Sequence, residues 1–121
     1  MINKKSIGNY GENYACEYIK NKGYTILKKN YFSRNGEIDI IALKEDVLIF
    51  IEVKTRCFSN YGLGEESVNY FKKVKCIKTA KYYIHKNNLY HLNVRFDVIT
   101  ITLDIDKNKK SIQYYEDAFS L

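Results

Sequence analysis

The sequence predicts an α/β domain, a mixed β-sheet with helices packed on it, in the order α-β-β-β-α-β-β. Three observations carry that reading. Two segments space their apolar residues at helical intervals. Five others alternate or run apolar over strand lengths. The chain has 121 residues, 45% hydrophobic and 28% charged, which is enough for one packed core and too little for a cofactor domain plus a substrate domain. Residues 1–121 therefore read as a single domain, with no internal repeat, no low-complexity linker and no proline.

The first helix is expected from Ser6 to Asn21. Ile7, Tyr10, Tyr14 and Tyr18 form its stripe, and Ala15 and Ile19 widen it. Gly23 is placed to end it, because glycine accepts the left-handed conformation after a helix. Tyr24–Tyr31 alternates loosely as a strand, and Ser33-Arg34-Asn35-Gly36 reads as a turn. Two strong strands follow, Glu37–Leu43 and Val47–Lys54, joined by Lys44-Glu45-Asp46. A loop holds Tyr61-Gly62-Leu63-Gly64. The second helix is expected from Glu66 to His85 on Val68, Phe71, Val74, Ile77, Ala80 and Ile84, with Asn87-Asn88 ending it. Val94–Leu103 is a strand with Val94, Phe96 and Val98 on one side and Ile99 and Ile101 on the other. Asp106–Lys110 is a polar turn, Ser111–Tyr115 a short strand, and Glu116–Leu121 a helical turn.

The apolar stretches break well before the roughly 20 residues of a membrane span, and no apolar segment follows the lysines of Met1–Asn9. Cys16, Cys57 and Cys76 are odd in number and form no C-x-x-C pair, which argues against a disulfide framework or a zinc knuckle. The expected setting is reduced and cytoplasmic, with no membrane partner. The net charge of +6 and a pI of about 9.1 point to an acidic partner, nucleic acid among them. Between Ser67 and Phe96 stand Lys72, Lys73, Lys75, Lys78, Lys81, Lys86 and Arg95, with no acidic residue. A solvated helix face explains such a run equally well.

The chemistry concentrates in Gly36-Glu37-Ile38-Asp39 and Glu52-Val53-Lys54. Strand side chains alternate faces, so Ile38, Ile40 and Ala42 are expected to share one apolar face with Val47, Ile49, Ile51 and Val53. A two-residue turn at Glu45-Asp46 then pairs Lys44 with Val47, Ile41 with Phe50, Asp39 with Glu52 and Glu37 with Lys54. Opposed carboxylates about 5 Å apart repel unless neutralised. A hard divalent cation such as Mg²⁺ would neutralise them. A plain cross-strand charge cluster, with Glu37–Lys54 as a salt bridge, is the competing account.

An acidic residue on one strand followed by E-x-K on the next resembles the PD-(D/E)xK nuclease signature. Gly36-Glu37-Ile38-Asp39 with Glu52-Val53-Lys54 is similar to the YraN-like family of small bacterial proteins, related to archaeal Holliday junction resolvases. The likeness runs along almost the whole chain. It takes in Gly8-Asn9-Tyr10-Gly11-Glu12, Asn30, Glu52-Val53-Lys54-Thr55-Arg56, Val68 with Lys72, Ala80, Arg95-Phe96-Asp97-Val98 and Ala118-Phe119. The resemblance implies a restriction-endonuclease-like fold. It implies Asp39 and Glu52 as metal-binding carboxylates, Glu12 as a helix glutamate supporting the metal, and Lys54 as the catalytic lysine. The metal would be Mg²⁺, with Mn²⁺ able to substitute. Glu12 is equally readable as a carboxylate favoured by the helix dipole. Glu37 stands where the nuclease motif has proline, and is either structural or an extra carboxylate.

The expected activity is metal-assisted hydrolysis of DNA phosphodiesters, selective for structure, branched DNA included. Arg56, Lys72, Lys73 and Lys75 are the expected phosphate contacts. A homodimer is expected by analogy with junction-resolving relatives. The rival reading is a non-catalytic nucleic-acid-binding or complex-assembly protein on the same fold; an RNA-directed nuclease is a third. His85 and His91 lack ligand spacing. Arg95 and Asp97 read as a strand-face ion pair beside core Phe96. Tyr82 and Tyr83 read as packing residues, and Gly62 and Gly64 make no dinucleotide fingerprint.

Overall fold

A computed structural model describes residues 4–59, 62–64 and 70–120. The elements are α1 (Lys4–Asn21), β1 (Thr25–Ser33), β2 (Gly36–Lys44), β3 (Val47–Ser59), β4 (Gly62–Gly64), α2 (Tyr70–Asn87), β5 (Asn93–Asp104) and β6 (Lys109–Tyr115). The sheet runs β1-β2-β3-β5-β6, with β4 on the C-terminal end of β3. β3 and β5 are parallel and the other pairs antiparallel, so the sheet is mixed.

The expected order of helices and strands holds, with local differences. Gly62-Leu63-Gly64, read as loop, forms the short β4. Tyr61 and the expected start of the second helix, Glu66 to Asn69 with Val68, lie outside the described residues. The tail after Tyr115 is a turn rather than a helical one. Ala118 N–H donates to Phe96 O at 2.7 Å, which seats Phe119 in the core. Both helix ends follow local chemistry. Gly23 (φ 89°) and Asn88 (φ 53°) take the left-handed conformation. Tyr24 N–H reaches back to Ile19 O, and Leu89 N–H to Ile84 O, both at 3.0 Å, so carbonyls orphaned at each helix end are satisfied.

The two helices cover opposite faces of the sheet. Ala15, Cys16 and Ile19 of α1 pack on Ile40, Ala42, Ile49, Ile51, Ile99 and Ile101. Cys76, Ile77, Ala80 and Tyr83 of α2 pack on Ile38, Ile41, Leu48 and Phe50. Ile38 thus departs from the expected face: it lies on the α2 side while Ile40 lies on the α1 side. Strict alternation would put both on one side. The break falls at Asp39. β1 pairs Lys29 with Ile40 and Tyr31 with Ile38, leaving Asn30 between them in the left-handed region, φ 51°.

The β2–β3 ladder runs from Lys44↔Val47 through Ile41↔Phe50 to Ile40↔Ile51, as the turn length predicts, and ends there, so the expected ladder pairs Asp39–Glu52 and Glu37–Lys54 do not form. Beyond it, Asp39 Oδ2 accepts the Val53 N–H at 2.8 Å. A side chain replaces the next ladder bond, and β2 parts from β3. The tip of the β1–β2 hairpin instead meets α2: a Cβ on Gly36 would lie 3.3 Å from Lys75 Cβ and 3.4 Å from Thr79 Oγ1. On this edge of β3, between the end of the β2 ladder and the start of β4 at Cys57, the fold leaves a notch.

Candidate metal and phosphodiester site

Asp39 and Glu52 lie at the notch, and Glu12 and Glu37 each stand near enough to feel the Asp39 charge. Glu52 is 2% exposed, and burial, then the Asp39 charge, push its carboxyl up to about 8, against the pull of Lys72. Asp39 and Glu52 are close enough to share a hydrogen bond, as their placement on adjacent strands predicts. Glu12 is raised by burial, then by Asp39 and Glu37, while Lys29 and the Asn30 side chain pull it back. Glu37 is raised by burial and Asp39, with Lys72 opposing. Glu12 therefore reaches the sheet from α1, and Glu37 belongs to the same electrostatic cluster.

Gly11 explains how Glu12 gets there. A Cβ at position 11 would stand 1.8 Å from Thr55 Oγ1, so α1 crosses β3 at a separation only glycine allows. The next residue, Glu12, is delivered beside Asp39. Lys54 is half-buried, two residues beyond Glu52 on the same side of β3. Arg56 follows on that side, also half-buried.

Lys72, an expected phosphate contact, is exposed on α2 and reaches the edge of the notch. Its Nζ lies 3.4 Å from Glu52 Oε2, an ion pair that draws the Glu52 carboxyl down against burial and Asp39, while the lysine side chain stays 44% exposed. Glu12 Oε1 is a buried oxygen with no hydrogen-bond partner among the described residues. Lys75 is exposed and Lys73 half-buried on the same helix. Periodicity does not signal the pairing of Lys72 with Glu52. Asn30, which the resemblance includes, acquires its role as the partner of Glu12 from the register opposite Asp39.

Among the described residues, no three His, Cys, Asp or Glu side chains are drawn together tightly enough to form a ready-made metal cage. The donors nevertheless suit Mg²⁺. This ion is commonly held by one or two carboxylates plus water and substrate phosphate. Asp39 and Glu52 supply the pair, and the buried Glu12 Oε1 and Glu52 Oε2 gain from a cation.

The other residues singled out in the sequence lie apart. Asp97 is fully buried. Its carboxylate accepts from Arg95 Nε at 2.9 Å and Nη2 at 2.8 Å, from the Asp117 N–H at 2.8 Å, and from the Tyr114 hydroxyl. Arg95 Nη2 also donates to Tyr24 Oη at 3.2 Å. This is a structural clamp tying β6 and the tail to β5. His85 Nδ1 lies 2.6 Å from Tyr90 Oη at the end of α2. Tyr83 packs edge-on against Tyr31 with centroids 5.1 Å apart, while Tyr82 is partly exposed. Cys16, Cys57 and Cys76 are free thiols. No helix is long and apolar enough to cross a membrane among the described residues.

Comparison with known proteins places the chain among close relatives. The model of the uncharacterised protein family UPF0102 matches residues 11–101, from Gly11 to the middle of β5. A UPF0102 protein of Clostridium acetobutylicum is 46% identical over 120 residues, covering 99% of this chain and 98% of its own length. One from Clostridium perfringens is 45% identical over 115 residues, with 95% and 94% covered. One from Caldanaerobacter subterraneus subsp. tengcongensis is 43% identical over 106 residues, with 88% and 87% covered.

Proposed function

We propose that this chain, which belongs to the uncharacterised protein family UPF0102, is a metal-dependent endonuclease that hydrolyses DNA phosphodiester bonds with selectivity for branched structure. The observation that carries the reading is the meeting of the Asp39 and Glu52 carboxylates at a break in the sheet, with Glu12 in reach from α1. The resemblance of Asp39…Glu52-Val53-Lys54 to the PD-(D/E)xK signature supports the same chemistry. So does the basic charge of the chain.

In this reading Asp39 and Glu52 hold Mg²⁺ or Mn²⁺, with Glu12 supporting them directly or through water. A cation bound there would supply Lewis-acid chemistry, polarising a phosphate oxygen and lowering the pKa of a water. Lys54 orients the attacking water and offers its ammonium to the charge that develops at phosphorus. Asp39 keeps its place because the Val53 N–H holds one of its oxygens. Lys72 lies 3.4 Å from Glu52, where its ammonium would be available both to that carboxyl and to a phosphate bound beside it. Arg56, Lys73 and Lys75 add phosphate contacts that position the strand without reading bases.

A non-catalytic nucleic-acid-binding or assembly role on the same fold is favoured by one observation: Lys72 already provides a cation for Glu52. Incubation of the chain with four-way-junction, duplex and single-stranded DNA separates the two, each with Mn²⁺ or with chelator. The nuclease reading expects strand scission that needs the cation and is fastest on branched DNA. Binding without cation-dependent scission on any substrate would support the assembly role instead. Scission of an RNA junction in preference to DNA would redirect the substrate class.

A further inference from the structure

Phe32 is the large apolar side chain left most open to solvent among the described residues, 70% exposed. It sits at the tip of the β1–β2 hairpin, paired with Glu37. Its neighbours explain why it is left out. Tyr31 packs into the α2-side core against Tyr83, and its partner Ile38 is fully buried there. Alternation then turns Phe32 to the other side, where no helix covers it.

The tip is fixed rather than loose. Gly36, at φ 147°, lies close against Lys75 and Thr79 of α2. Ser33 Oγ accepts the Asn35 N–H at 3.1 Å. An aromatic ring is thus held out from an anchored hairpin. Glu37 interacts with both Asp39 and Lys72 and precedes Asp39 by two residues, roughly 7 Å along the strand. The Phe32–Glu37 pair therefore lies two residues along the hairpin from Asp39. Lys28, Lys29 and Arg34 are exposed on the same hairpin, with Lys29 Nζ donating to Asn13 Oδ1 of α1 at 2.9 Å, so the hairpin as a whole carries positive charge.

We infer that Phe32 is a nucleobase-stacking wedge, taking the face of a base at an unpaired or opened step next to the phosphate held at Asp39 and Glu52. This rests on the nuclease reading and adds to it a source of structure selectivity. A continuous duplex presents stacked bases whose faces are hidden. A branch point, flap or single strand presents a free face. Every base has such a face, so the contact selects for structure without selecting sequence.

The chain contains no tryptophan, which makes Phe32→Trp a single fluorescent reporter. In an Asp39→Ala background, four-way-junction and flap oligonucleotides should quench its emission, and a duplex of the same sequence should not. A Tyr90→Trp reporter, beyond the far end of α2, should stay unchanged with all of them. Phe32→Ala should melt within about a degree of the parent. It should weaken junction and flap binding roughly 5- to 100-fold, the worth of one stacked base, and leave duplex binding within about twofold.

If anisotropy shows junction binding while the emission of the Phe32→Trp reporter does not change, the wedge is wrong and the nuclease reading stands. The wedge also falls if Phe32→Ala weakens all DNAs alike, or if it changes the sedimentation mass, which would make Phe32 a contact between copies of the chain. If the parent binds no DNA at all, both readings fall together.

Discussion

Replacing Glu52 with glutamine should leave the fold almost unchanged in stability at pH 4.5 and make it more stable at pH 8. Burial and Asp39 raise the Glu52 carboxyl from its ordinary 4.5 to about 8. Between those values the folded chain keeps a proton that the unfolded chain has lost. Raising the pH through this window therefore favours the unfolded state, and the loss levels off above about 8. Each pH unit is worth about 1.4 kcal/mol, so the whole window has a ceiling of about 5 kcal/mol. Water entering the notch, and the partly exposed Lys72 ammonium 3.4 Å away, lower the realised effect to about 1–3 kcal/mol. For a chain of this length that is a rise in Tm of roughly 4–12 °C. Calorimetric melts of both proteins in chelator, at half-unit steps from pH 4.5 to 8.5, read it directly. The difference should widen steadily with pH. A gap that is constant with pH, or a parent that gains on the variant as pH rises, would refute the buried-carboxylate reasoning.

Asp97→Asn should destabilise the fold by about 2–4 kcal/mol in urea melts, because Arg95 loses its bidentate partner and the Tyr114 and Asp117 contacts are disturbed; a change under about 0.5 kcal/mol would contradict the clamp. Gly11→Ala should cost about 1–3 kcal/mol through the clash with Thr55 Oγ1, and Thr55→Ala in the same chain should recover part of it, since the Cβ at position 55 stays 3.0 Å away; two simply additive losses would show that the close crossing is not the cause. Mn²⁺ at millimolar concentration should raise the Tm of the parent and not that of Asp39→Ala; an equal rise in both would place the ion elsewhere.

The hairpin register was legible because a two-residue turn and an uninterrupted apolar pattern fix it: Lys44↔Val47 and Ile41↔Phe50 follow from Glu45-Asp46 alone. The side of Ile38 was not. It depends on Asn30 in the left-handed region and on the Asp39 side chain taking the Val53 N–H, and both are contacts between segments. That Asp39 and Glu52 are neighbours was readable from adjacent strands, but the opposed ladder pair expected between them does not form, because Asp39 takes the Val53 N–H. The Lys72–Glu52 ion pair was not readable, because helical spacing says which face a lysine is on and nothing of the acid it meets on another element. Gly11 shows the opposite case: its place in a Gly-Glu dipeptide was visible, and its physical reason, Thr55, lies 44 residues away in sequence. Arg95 and Asp97 were legible as a pair, while Tyr114 and Asp117 were brought in by β6 and the tail. The tail failed as a helical turn because Phe119 docks in the core and Ala118 bonds to Phe96.

The most direct test compares single-turnover cutting of a labelled four-way junction by the parent chain, Asp39→Ala and Lys54→Ala, with junction affinity measured on the same preparations. Cation-dependent cutting by the parent, with both variants binding within a fewfold of it and losing at least about a hundredfold in rate, is the expected result. Variants that cut at the parent's rate would contradict the assignment of that chemistry to the cleft between β2 and β3.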